Sequence, residues 1–111
     1  MDDALKQKIE QTVRSDKVVL FVKGTKTFPQ CGFSSSVIEI FKGLGVPFQC
    51  VNILADQDLR QGLKEYSSWP TFPQIYVDGE FIGGCDIVRE MHEKGELAPI
   101  VAKAVQPTVL S

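Results

Sequence analysis

The stretch Thr27-Phe28-Pro29-Gln30-Cys31-Gly32-Phe33-Ser34 follows an apolar run and opens an amphipathic pattern. Its one thiol, Cys31, therefore sits where a strand turns into a helix. A helix N-terminus presents unpaired N–H groups and a partial positive charge. A thiolate placed there is stabilised, and its pKa falls from about 8.5 into a range of roughly 3.5–7.5. Such a thiolate serves as a nucleophile or as a ligand for a soft metal. The fourth residue of the Cys31 motif is Ser34, so the motif cannot close a disulfide within itself.

Working outward, Val18-Val19-Leu20-Phe21-Val22 is apolar without alternation, the pattern of a central strand buried on both faces. Residues 2–15 read as a helix before it, capped by Asp2 or Asp3, with Leu5, Ile9 and Val13 on one stripe. After Cys31, apolar residues at Phe33, Val37, Ile40, Phe41 and Leu44 predict a helix of about three turns. Gly43, Gly45 and Pro47 stop it, and 48–54 reads as a second strand, parallel to the first through a right-handed crossover. Asp56 caps a third helix with Leu59, Leu63 and Tyr66 facing inward, and Arg60 and Lys64 share its other face. Two prolines break the chain across 67–73. Residues 74–77 and 80–82 then form an antiparallel hairpin about Asp78-Gly79. Gly83-Gly84 permits close approach to the backbone, Asp86 caps a fourth helix with Ile87, Val88 and Met91, and 97–104 is a short last helix before a frayed tail over 106–111. This order describes an α/β, thioredoxin-like fold: a four-stranded mixed sheet flanked by about five helices.

The chain has 111 residues, enough for one domain, with 43% hydrophobic and 23% charged residues and a net charge of −2. Both charge signs are interspersed, so neither a nucleic-acid partner nor a membrane surface is expected. Three cysteines, an odd number, fit a reducing compartment better than a disulfide scaffold. Cys50, inside a strand, reads as a small buried hydrophobe. His92, late on the fourth helix, reads as surface.

Four motifs in this order, Lys23-Gly24-Thr25, Cys31-Gly32-Phe33-Ser34, Trp69-Pro70-Thr71-Phe72-Pro73 and Gly83-Gly84-Cys85-Asp86, resemble the monothiol glutaredoxins of the Cys-Gly-Phe-Ser class. The resemblance spans roughly residues 5–104, and 51–54, 59–81 and Cys85 look most like plastid-type members. It implies glutathione as cofactor. Lys23 and Arg60 would pair with its glycine carboxylate, as charge-assisted bonds allow. The backbone of Phe72, ahead of a cis Pro73, would hold its cysteine portion like an added strand. Asp86 and the amide of Cys85 would hold the γ-glutamyl end. Cys31 would be both redox thiol and cluster ligand, Cys85 either a filler or a resolving thiol, and Trp69 either a plug or a cluster shield. Phe33 is expected to pack at the helix start, and Ser34 to cap or pack in its first turn.

A [2Fe–2S] cluster takes four thiolate-type ligands. One chain offers one well-placed thiol, so the resemblance implies a cluster shared by a homodimer, with two Cys31 thiolates and two glutathiones. The protein would be a monomer without it. The implied work is cluster assembly or transfer to iron-sulfur acceptor proteins, with BolA-like proteins among the partners. The rival is an enzyme that removes glutathione from protein thiols through Cys31. The resemblance points to the chloroplast stroma, with cytoplasm or mitochondrion as alternatives. The segment Met1-Asp2-Asp3-Ala4 has no apolar signal region, and no transit peptide is seen in the sequence.

Overall fold

In the computed structural model, which describes residues 1–106, all of Val18–Val22 (β1) is buried. It lies at the centre of a four-stranded sheet. Gln49–Asn52 (β2) pairs with it in parallel, Gln74–Val77 (β3) pairs antiparallel on its other side, and Glu80–Gly83 (β4) pairs with β3, giving the order β2-β1-β3-β4. This is the thioredoxin-like fold that the strand and helix order predicts.

The two-residue period of β1 explains the layers. Val18, Leu20 and Val22 pack with Val37, Ile38 and Phe41 of α2 (Gly32–Leu44), Val88 of α4 (Cys85–Glu93), and Leu97 and Val101 of α5 (Leu97–Val105). Val19 and Phe21 face the other way, onto Ile9 and Val13 of α1 (Asp3–Val13) and Leu59 and Leu63 of α3 (Gln57–Ser67). Burying one such side chain contributes about 1.5–3 kcal/mol. An exposed ion pair such as Lys17 with Asp78 contributes about 0–1 kcal/mol, so the two cores decide the fold. Helices α1 and α3 meet closely at Gly62, where a Cβ would stand 2.8 Å from Ile9 Cδ1.

Caps and turns follow their local chemistry. Asp2 Oδ1 accepts the Leu5 N–H at 2.7 Å, Gly45 ends α2 at φ 70, and Asp78 and Gly79 turn the β3–β4 hairpin at φ 53 and 80. Three expectations are corrected. The second strand is shorter than 48–54, because Asn52 Oδ1 takes the Leu54 N–H and starts a single 3-10 turn, Ile53–Ala55. Phe33 does not pack: it is 58% exposed, while Ser34 is fully buried on the stripe with Val37, Ile38 and Phe41. Asp86 is not the cap of the fourth helix. Gly84 is, and Asp86 sits in the first turn, where its charge suits the helix dipole. The expected tail over 106–111 falls, apart from the exposed Gln106, outside the described residues.

Asp56 caps α3 as expected, accepting the Leu59 N–H at 3.0 Å. The Lys8 ammonium, then that N–H, hold its carboxyl below the usual range. A depressed carboxyl stabilises the fold above its unfolded pKa, and that contribution is lost as pH falls through the folded value. Asp56→Ala is expected to cost about 1 kcal/mol at pH 7. Urea melts should show the gap to wild type closing below about pH 4.

Candidate functional site

The chain leaves β1 at Lys23 and reaches α2 at Cys31 through a closed loop. Gln30 N–H donates to the Lys23 carbonyl at 2.8 Å, Thr25 N–H donates to the Phe28 carbonyl at 3.2 Å, and Gly24 bridges Pro29. Two contacts from β2 and its approach hold this loop. Asn52 Oδ1 accepts the Gly24 N–H at 3.0 Å, and Lys26 Nζ donates to the Phe48 carbonyl at 2.6 Å while lying 4.1 Å from the Phe48 ring centroid. The loop thus sets down Cys31 as the N-cap residue of α2, in extended conformation and half-buried.

The thiol's pKa is lowered. The main cause is the N–H of Ser34, with the Phe33 N–H, the Ser34 hydroxyl and the Lys23 charge adding to it against a smaller opposing effect of burial. The sulfur closes no full cap hydrogen bond, so these groups attract the thiolate without tying it down. The Ser34 oxygen also accepts the Lys23 N–H at 3.1 Å from a fully buried position, joining the end of β1 to the start of α2. Because the folded thiol titrates below an ordinary one, Cys31 should be alkylated by iodoacetamide at pH values where Cys50 and Cys85 stay protected. Mass mapping of labelled peptides across pH 5–9 would check this. Equal protection of all three thiols at pH 7 would contradict it.

Beside Cys31 lies a cleft of about 250 Å³. Lys23 forms one wall, Phe72 and Pro73 another, and Cys85 and Asp86 a third, with Phe33, Trp69, Thr71 and Gly84 completing it. The Phe72–Pro73 bond is cis, as the resemblance implies. Of the expected glutathione residues, Lys23, Phe72, Cys85 and Asp86 come together here. Arg60 does not line the cleft. It is half-buried in the first turn of α3, its N–H bonded to the Asp56 carbonyl at 3.0 Å.

Cys85 is 7% exposed, and burial pushes its thiol up. The Arg89 guanidinium, whose Nη2 is 3.6 Å from Sγ, opposes that effect. Cys50 is half-buried and likewise pushed up by burial. His92 is exposed. The space that Gly83-Gly84 leaves open is filled by this chain's own side chains: a Cβ on Gly83 would meet Ile87, and one on Gly84 would stand 2.9 Å from Trp69 Nε1. Trp69 packs on Phe81 with ring centroids 5.8 Å apart.

Residue-pattern reasoning missed Gln74, which ties down two residues of the cleft lining, Trp69 and Thr71. Fully buried in β3, it donates from Nε2 to the Trp69 carbonyl at 3.1 Å and the Thr71 carbonyl at 3.4 Å, and its Oε1 accepts the Tyr76 hydroxyl at 3.1 Å. Burial pushes the Tyr76 phenol up, which keeps that donor protonated. The only signal in the sequence is an amide at the head of an otherwise apolar strand.

Comparison with known proteins agrees with this arrangement. The Glutaredoxin family profile matches residues 18–82. The chain is 60% identical over 101 residues to the chloroplastic monothiol glutaredoxin-S14 of Arabidopsis thaliana, covering 91% of this chain and 58% of that relative's own length. It superposes on the solution structure of reduced poplar apo GrxS14 with a TM-score of 0.81 at 61% identity, covering 93% and 94% of the two chains. It superposes on a buckwheat glutaredoxin solved in complex with glutathione with a TM-score of 0.81 at 31% identity, covering 94% and 96%.

Proposed function

The chain belongs to the glutaredoxin family, as a monothiol member of the plastid type, and from that premise we propose that it binds glutathione and, with a second copy, a bridging [2Fe–2S] cluster. The observation that carries this reading is the pairing of one activated thiol with an adjoining cleft of suitable chemistry. Lys23 offers a cation for a carboxylate, the Phe72 backbone an edge for a peptide, and the start of α4 at Cys85-Asp86 an N-terminus for a second carboxylate with an acid for the ammonium. Glutathione, with two carboxylates, one ammonium and a thiol, fits that set. The relative solved with glutathione supports the assignment. Arg60, half-buried in the first turn of α3, is the second cation of this reading.

The donor set fits a cluster shared between two copies. Among the described residues no group of three or more His, Cys, Asp or Glu side chains is placed to hold a metal ion. A single chain therefore cannot ligate a [2Fe–2S] cluster alone. Cys31, lowered and half-exposed, suits one ligand position, while Cys50 and Cys85, raised by burial, do not. Two Cys31 thiolates and two glutathione thiolates complete the four that such a cluster takes. The bound cluster would supply iron-sulfur cargo for transfer. The chain's own residues position the Cys31 thiolate through the Ser34 and Phe33 amides and hold glutathione beside it. Iron-sulfur acceptors and BolA-like proteins are the partners this role implies, and the chloroplast stroma is the compartment suggested by the chloroplastic relative.

The second reading is deglutathionylation. The Cys31 thiolate attacks the glutathione sulfur of a protein mixed disulfide, and the protein thiolate leaves and takes a proton. Glutathione thiolate then attacks Cys31-S-glutathione, releasing glutathione disulfide. The lowered thiol favours this reading too, with Cys85 as an alternative resolving thiol because it lines the same cleft. Anaerobic reconstitution with iron, sulfide and glutathione distinguishes the two. Visible absorption and a dimer appearing together, with turnover on a glutathionylated peptide near background, support the carrier. A colourless monomer with robust turnover supports the oxidoreductase.

A further inference from the structure

Among the described residues the strongly exposed large apolar side chains are Met1, Phe28, Phe33, Leu54, Ile87 and Ile100. Four of them share the pole that carries Cys31. Phe28 and Phe33 bracket it in the chain, Leu54 is joined to Gly24 through Asn52 Oδ1, and Ile87 follows Asp86 at the start of α4. Contiguous exposed apolar surface on a small domain marks an interaction site. Phe28 is 72% exposed and Phe33 58% exposed, yet neither sits on loose chain. The Phe28 N–H donates to Thr25 Oγ1 at 3.0 Å and its carbonyl accepts the Thr25 N–H, while Phe33 is in the first turn of α2. Two aromatic rings are thus held out to solvent on backbone that is already ordered, and a partner pays little to immobilise them.

We propose that Phe28 and Phe33 form the protein–protein contact with a second copy of this chain across the Cys31 sites. The inference rests on the cluster reading above. Phe28 lies three residues before Cys31 and Phe33 two after it. A second chain that brings its own Cys31 to the same cluster must come within reach of both rings. The contact is isologous, the same patch meeting itself. An apolar patch satisfies that requirement, whereas a charged one would repel. The loop's two cations are both engaged elsewhere: Lys26 is drawn back onto Phe48, and Lys23 lines the glutathione cleft.

Area explains why this contact needs the cluster. A phenylalanine buries about 150–250 Å² when fully enclosed. At these exposures the four rings of two copies bring together about 500 Å², well under the roughly 1,200–2,000 Å² of a stable interface. The rings therefore orient and tighten a pair that Cys31 ligation holds, and without the cluster the copies separate.

The test compares wild type, Phe28→Ser, Phe33→Ser and the double variant after anaerobic loading with iron, sulfide and glutathione. Sedimentation gives the holo dimer dissociation constant, visible absorption the cluster content, and calorimetry the glutathione affinity of the unloaded chain. Both side chains are exposed, so folding is preserved, and thermal melts verify it. At saturating glutathione the double variant is expected to weaken the holo dimer by about tenfold or more and to hasten cluster loss similarly, and Phe28→Ser, which lies outside the cleft lining, to weaken the dimer with glutathione affinity within about twofold of wild type. A double variant whose holo dimer matches wild type overturns this proposal alone. If that variant keeps the dimer but no longer passes its cluster to an apo acceptor, the proposal also falls, with the acceptor as the patch's occupant. A wild type that gains neither colour nor dimer overturns the cluster reading, and the proposal with it.

Discussion

Cys31→Ser is expected to lose the chemistry and keep the fold. Cluster content after reconstitution should fall by about tenfold or more, since the hydroxyl is a poor ligand for iron and the chain has no other suitably placed low-pKa thiol among the described residues. Turnover on a glutathionylated peptide should fall to background for the same reason, because the hydroxyl stays protonated at neutral pH. Stability should move the other way. Cys31 occupies the N-cap position of α2 without closing a side-chain cap bond. Serine is among the residues preferred there, and a working cap is worth about 0.5–2 kcal/mol. A gain of about 0.5–1 kcal/mol would raise the Tm by a few degrees in a domain of this size. The wild-type thiol would then be a helix cap given up for function. Calorimetric melts beside the reconstitution check both halves. A serine variant that still binds cluster at half the wild-type level, or that melts several degrees lower, would contradict this account.

Gly24→Ala should produce the largest loss of stability for the smallest change in composition. Gly24 adopts φ +101, a region that L side chains rarely enter. A Cβ there would stand 2.6 Å from both Gln30 N and the Phe28 carbonyl oxygen. Those are backbone atoms, so no rotamer change relieves the clash, and the Thr25–Gln30 loop must open. Opening it breaks the Gln30–Lys23 bond, the Gly24–Asn52 bond and the Pro29 bridge. Backbone strain together with the lost hydrogen bonds amounts to about 2–4 kcal/mol. The expected signature is a lower urea midpoint with unchanged m-value, because the exposed surface on unfolding is the same. Glutathione affinity should fall too, since Lys23 and Cys31 are the two ends of that loop. A midpoint within about 0.2 M of wild type would show that the loop rearranges freely.

Much of the architecture was legible in residue order. A five-residue apolar run without alternation is buried on both faces, as β1 is. Asp2 and Asp56 have short acceptors one turn ahead of unpaired N–H groups, and both cap. Asp78-Gly79 takes two left-handed conformations because those residues tolerate them. The misses have a common cause. Helical spacing puts Phe33 on the buried stripe, but burial depends on where the sheet ends, and the first turn of α2 carries Phe33 past it, while Ser34 packs there as expected. Gln74 is a polar residue in a buried strand, and only folding brings the Trp69 and Thr71 carbonyls and the Tyr76 hydroxyl around its amide.

The sequence by itself determined the strand and helix order, the single thiol at a helix start and the absence of a partner cysteine at Ser34, because these depend on local periodicity and on residue identity. Tertiary structure alone decided that Lys23, Phe72, Cys85 and Asp86 line one cleft without Arg60 in its lining, and that Phe28 and Phe33 are exposed to solvent around Cys31. Those facts depend on how β1, the Trp69–Pro73 turn and the start of α4 converge at one end of the sheet. Such convergence is set by packing between segments distant in the chain, which local pattern does not encode.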